Sequence, residues 1–120
     1  MFRPIEGLPD DVIGFRAEGK IHADDYSNTL IPAVESLIGS TGKARVLMVL
    51  GPEWEGYSAH AMFDDAKLGI EHLRAWERFA LVSDATWIHD TAKLFGWVVP
   101  GEVRSFPCAE EADAAAWVAS

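Results

Sequence analysis

Two short segments constrain this chain more than any other feature. Residues 44–50 (ARVLMVL) and 79–83 (FALVS) are almost continuously apolar, without the alternation of a strand that has one wet face. Strands with this pattern are buried on both faces, as happens in parallel sheets flanked by helices. Each segment is followed by a loop and then by apolar residues at helical spacing. Ala59, Met62, Phe63, Ala66, Ile70 and Leu73 form one stripe; Ile88, Ala92 and Phe95, with Trp87 and Leu94 alongside, form the next. Such an alternation dictates parallel strands joined by right-handed helical crossovers.

The rest of the chain fits around that nucleus. Residues 2–5, a turn at GLPDD and residues 12–18 read as a hairpin, with Ile13, Phe15 and Ala17 alternating with Gly14, Arg16 and Glu18. From Ala23 the period becomes helical, through Tyr26, Leu30, Ala33, Val34, Leu37 and Ile38 to the stop signal GSTG. Pro32 lies inside that run and predicts a kink, because it lacks an N–H and crowds the carbonyl four residues back. A strand at 103–106 and a helix at 110–119 follow. The order predicts an α/β fold, ββαβαβαβα, with a mixed five-stranded sheet, parallel core strands and about four flanking helices. No linker, repeat or low-complexity tract divides the 120 residues, so a single domain over 1–120 is expected.

Charge narrows the function classes. Nineteen acids against 10 bases leave a net charge of −9, which opposes any polyanion and argues against nucleic acid as a partner. No apolar run reaches the roughly 20 residues of a spanning helix, and the amino terminus has no leader-like pattern, so a cytoplasmic location is expected. Lys93 is the lone base beside the apolar run 95–99, which allows at most weak peripheral membrane contact. The single cysteine, Cys108, excludes an internal disulfide and a multi-thiolate metal site; its place between a strand and a helix would suit a lowered thiolate pKa. His22, His60, His72 and His89 lack metal-ligand spacing, so no metal or cofactor is expected. No nucleophile motif, phosphate-binding glycine loop or CxxC is present, and the reading is noncatalytic.

Ligands of open α/β sheets gather beyond the carboxyl ends of the strands. Here that places a site at residues 51–58 (GPEWEGYS) and 83–87, in a chain with five tryptophans. Beneath a lid made of the second and third helices, Phe63, Trp87, Leu94 and Phe95 would line an apolar cleft. Trp54 and Trp97 would rim its mouth, and Tyr57 lies in the first loop. Glu53 and Glu55 favour an uncharged occupant, and Arg74 or Arg78, if turned inward, would meet a carboxylate head. Ser58 stands where the following helix begins, a position that capping alone explains and that also suits a phosphate. Ser83 and Asp84 read as caps of the next helix. Core packing is the plainer explanation for the tryptophans.

Several stretches carry a resemblance when taken as a set: VIGFRAEGKI at 12–21, ADDY at 23–26, LIPAVE at 30–35, VLGPEWEGYS at 49–58, DDAKLG at 64–69, WERFALVSD at 76–84 and FGWVVPGEVRSF at 95–106. Together they resemble the SpoIIAA-like family, a branch of the STAS superfold, over nearly the whole chain. The resemblance implies a cytoplasmic STAS-like α/β domain. Anti-sigma-factor antagonists of the wider superfamily carry a switch serine at the start of the helix after the third strand, which makes Ser58 the phosphorylation candidate. Gly56, Tyr57, Ser58 and Ala59 stand where those proteins have Asp-Ser-Ser/Thr-Gly. The branch is also similar in topology to the lipid-carrying CRAL-TRIO (SEC14-like) domains, which implies an apolar cleft between sheet and helices. Two functions follow: a noncatalytic domain binding a small apolar or lipid-like ligand, or a partner, at 51–58 and 83–87; or a regulatory protein-interaction module switched by phosphorylation near Ser58. Both leave the oligomeric state open, a dimer included.

Overall fold

The computed structural model describes residues 1–58, 75–98 and 101–120. Its main sheet has five strands: β1 (Phe2–Pro4), β2 (Ile13–Ala17), β4 (Ala44–Leu50), β6 (Trp76–Ser83) and β7 (Glu102–Phe106), adjacent in that order. β1 pairs antiparallel with β2 and every later pairing is parallel. The mixed α/β sheet with parallel core strands is the one the apolar segments dictate. β6 begins three residues before the apolar stretch, because Glu77 and Arg78 continue the ladder as Trp76 enters the core.

Because the strand order never reverses, right-handed crossovers fall on one face of the sheet. That face carries the larger core: Phe15, Val46, Met48 and Leu50 from the strands meet Tyr26, Leu30, Val34 and Ile88 from helical segments. Alternate residues of the same strands, Leu47, Val49, Ala80, Val82 and Phe106, meet Ala114 and Val118 of the last helix on the other face. Continuous apolar runs in β4 and β6 thus serve two cores, one per side of the pleat.

The helical segments are α1 (Ala23–Asp25), α2 (Ile31–Thr41), α3 (Thr86–Val98) and α4 (Glu111–Ala119). The helix expected across 59–73 lies outside the described residues. Pro32 is accommodated differently from a simple kink. A π-turn, Tyr26–Leu30, precedes it, and the Ile31 N–H reaches back to the Tyr26 carbonyl. The wider turn brings the chain to Pro32 at the start of α2, where its missing N–H costs least. Gly42, at φ 77°, ends α2 with its N–H on the Ile38 carbonyl.

One expectation is corrected. Residues 51–58 are not merely a loop, since β5 (Trp54–Tyr57) pairs in parallel with β3 (Gly19–Ile21) in a separate two-stranded sheet. Gly56 sits in this ribbon at φ 117°, a conformation closed to most side chains. Strands of three and four residues hold too few side chains to show a period, so the ribbon leaves no trace in the hydropathy pattern.

The last helix is secured at both ends by charge. Its first turn is acidic, with Glu111 and Asp113, and the Arg16 guanidinium donates to both Glu111 oxygens at 3.0 and 2.8 Å. At its other end Arg45 and Arg78, opposite one another on β4 and β6, donate to the Val118 carbonyl at 3.3 Å and the Trp117 carbonyl at 2.7 Å. Anions at the amino end and cations at the carboxyl end both oppose the helix dipole favourably. The Trp117 ring also lies under Arg78 and Arg104, at 5.3 and 5.2 Å.

Candidate functional site

The carboxyl ends of the parallel strands meet at one edge of the molecule, with Val49 beside Arg16, Leu50 beside Ser83 and Val82 beside Phe106. From there the chain turns from β6 into α3 through a hydrogen-bonded corner. Ser83 is 1% exposed; its hydroxyl oxygen accepts the Ala85 N–H at 3.1 Å. Its carbonyl accepts from His89 Nε2 at 2.7 Å, so that nitrogen carries the proton. This bond holds His89 against the strand end, and Ile88, one residue earlier, is buried in the core. A step of about 100° separates neighbouring residues on a helix, so Ile88 inward sends Trp87 outward. Trp87 is 49% exposed.

Trp54, at the start of β5, is half-buried against the larger core and meets Trp87 with ring centroids 5.7 Å apart and planes at 41°. The structure thus joins the two segments singled out in the sequence through one aromatic contact. Trp87 is the more exposed partner of the contact and Trp54 the more buried one. Tyr57 pairs with Ile21 through its strand position, and the Ser58 N–H donates to the Ile21 carbonyl at 2.8 Å. Leu94, Phe95 and Trp97 fall on α3, but their side chains lie outside what is described, as do Phe63 and Arg74 altogether. Arg78 does not serve this site; it is held at the carboxyl end of α4, on the other face of the sheet. Glu53 and Glu55 are exposed beside Trp54, as are Asp84 and Asp90 on the approach to and first turns of α3, giving the contact an acidic surround.

Sequence reasoning missed a second juxtaposition on the same edge. Asp84, in a position that suits a cap for its own helix, instead accepts the Cys108 N–H on Oδ1 at 2.9 Å, across 24 residues. Burial and the Asp84 carboxylate push the Cys108 thiol above its usual range, the opposite of the lowered value its position suggested. A thiol with a raised folded-state pKa contributes its stability below the ordinary thiol range and loses it as pH climbs through the raised value. Alkylation of the folded protein by iodoacetamide is therefore expected to be slow at neutral pH and to keep accelerating beyond the pH where denatured protein has reached its plateau. Equal rates for folded and denatured protein at neutral pH would contradict this environment for Cys108. No hydropathy or spacing signal predicts the contact, because it exists only once β6 and β7 are adjacent.

Among the described residues there is no group of three or more histidine, cysteine, aspartate or glutamate side chains able to hold a metal ion. Among them, too, no helix is long and apolar enough to cross a membrane.

Five strands in unreversed order, with a helix-covered core on each face, define a STAS-like α/β fold. A SpoIIAA-like family model matches residues 12–119. The crystal structure of an uncharacterized protein with a SpoIIAA-like fold from Shewanella loihica PV-4 superposes with a TM-score of 0.73 at 28% identity, covering 98% of this chain and 92% of that one. The chain belongs to the SpoIIAA-like family. Comparison with curated proteins found no match.

Proposed function

We propose that this chain is a noncatalytic SpoIIAA-like domain that binds a small uncharged apolar ligand, lipid-like in character, at the surface made by Trp54 and Trp87. The observation that carries the reading is the half-exposed Trp87 indole held against Trp54 by a fixed corner. Among the described residues the other large side chain of this kind left exposed is Met1. Tryptophan offers a large apolar area and is enriched at interfaces, so an indole left half in water against a second indole suits a contact surface. The unreversed strand order supports a surface site over a nucleotide crevice, since such crevices form where strand order reverses. The acidic surround favours a neutral ligand over a fatty-acid anion.

Burying about ten methylenes contributes on the order of 8 kcal/mol before ordering costs, which limits binding to micromolar affinity at best. Titration with a neutral long-chain alcohol is expected to shift or quench tryptophan fluorescence. Trp87→Ala is expected to abolish most of that response with little loss of stability, because half of the ring is already in water. No fluorescence change at saturating alcohol, or an undiminished response in Trp87→Ala, overturns this site. Protein isolated from its native cell with phosphate on Ser58 and no copurifying apolar molecule would favour the switched interaction module instead.

A further inference from the structure

β7 is an outer strand of the main sheet, and among the described residues no strand pairs with its free side. It is the longer of the two outer strands, five residues against three in β1. It is also held rigidly. Phe106 is buried in one core, Val103 packs against the other, and Gly96 of α3 lies close over Val103. In a parallel strand the N–H and C=O of alternate residues point to the same side, so either the odd or the even set of β7 is directed outward. An ordered strand with outward-facing amides is a template for another strand.

From this edge we infer that β7 pairs with β7 of a second copy of the chain, antiparallel about a two-fold axis through Val103. Charge selects the axis. With Val103 at the centre, Glu102 stands opposite Arg104 of the other copy, and Arg104 opposite Glu102, on the same face of the joined sheet. An axis through Glu102 would oppose two carboxylates, and one through Arg104 two guanidiniums. Only like-numbered parity is needed for the backbone to bond: the odd set meets the odd set and the even set the even. Glu102 and Arg104 are both exposed, and among the described residues neither forms an ion pair within its own chain. Arg104 is held on the α4 side of the sheet, 4.9 Å over Phe106 and 5.2 Å over Trp117, and is exposed there. The paired edges form a small interface, and the net charge of −9 on each copy adds repulsion, so the dimer is weak and needs physiological salt to form.

Sedimentation equilibrium of the intact chain from micromolar to millimolar concentration, in about 0.15 M salt, tests the pairing. Wild type is expected to pass from monomer to dimer across that range. Glu102→Arg and Arg104→Glu each place like charges in opposition and are expected to weaken the dimer by roughly tenfold or more. The double exchange restores both pairs and is expected to recover the wild-type dissociation constant. Glu102 has no intramolecular ion-pair partner to lose among the described residues, so the Glu102→Arg arm stays informative even if Arg104→Glu disturbs Trp117. A chain that remains monomeric throughout overturns the inference. So does a dimer indifferent to Glu102→Arg, or a folded double exchange that stays as weak as the single variants.

Discussion

Val46→Asp is expected to remove a large part of the protein's stability and to bring its denaturation midpoint far below that of wild type. Val46 is fully buried, between Ile13 of β2 and Phe79 of β6, in a core whose members are all apolar. Among the described residues a carboxylate there has no cation to meet, and it cannot reach water without opening the sheet. The cost, about 3–5 kcal/mol, is a large share of the roughly 5–15 kcal/mol that stabilises an average domain. Val49→Asp provides the contrast. It is equally buried, but Arg16 stands opposite it on β2 and faces the same side of the sheet. The new carboxylate would compete with Glu111 for that guanidinium, so Val49→Asp is expected to be the milder variant. Chemical denaturation of the two checks the order. A near-wild-type midpoint for Val46→Asp would mean that β4 is not a central strand.

Gly101→Ala is the second large effect, and it acts through space alone. A Cβ on Gly101 would lie 2.1 Å from the Trp76 carbonyl oxygen and 2.8 Å from that of Glu77. Both obstacles are backbone at the start of β6, a strand paired on both sides by β4 and β7. Neither can withdraw without breaking a ladder, so a loss of about 3 kcal/mol or more is expected. Gly39, inside α2, has open space where an alanine methyl would stand, with no neighbouring atom within 4 Å. Gly39→Ala is therefore expected to stabilise by about 0.5–1 kcal/mol, through helix propensity and a less flexible unfolded chain. Thermal melts that fail to move in opposite directions for the two variants would refute the close approach at Gly101.

What the sequence reveals depends on how many residues a feature repeats over. β4 holds seven residues between two cores and β6 eight, so their apolar runs are unmistakable, and the order of sheet strands follows from them. α2 shows its stripe and its glycine stop for the same reason. The β3–β5 ribbon is too short to repeat anything and escapes notice. The π-turn is invisible for another reason: one added residue per turn shifts the helical stripe without erasing it, and Tyr26 and Leu30 are core residues under either reading. At the candidate site, composition draws attention to the tryptophans, and the structure brings Trp54 and Trp87 into contact. Which of the pair faces water is decided by Ile88 and by the His89 to Ser83 bond, a relation between a helix and a strand end that no local pattern encodes. Arg16 with Glu111 and Asp84 with Cys108 are likewise products of strand adjacency.

The unreversed strand order has a consequence for how the molecule is assembled in time. Each new strand of the main sheet pairs with the strand laid down just before it, so the sheet lengthens along one edge as more of the chain becomes available and no later strand has to insert between two already joined. Loop closures stay short, which favours rapid folding for a largely parallel sheet. The second core cannot form on that schedule. Val12, Leu47, Val49, Ala80 and Val82 are all in place before α4, the last described helix, arrives to cover them. Until then the apolar residues on that side of the growing sheet lie open between Arg16, Arg45 and Arg78, the interval in which a nascent chain is most open to aggregation or to a chaperone.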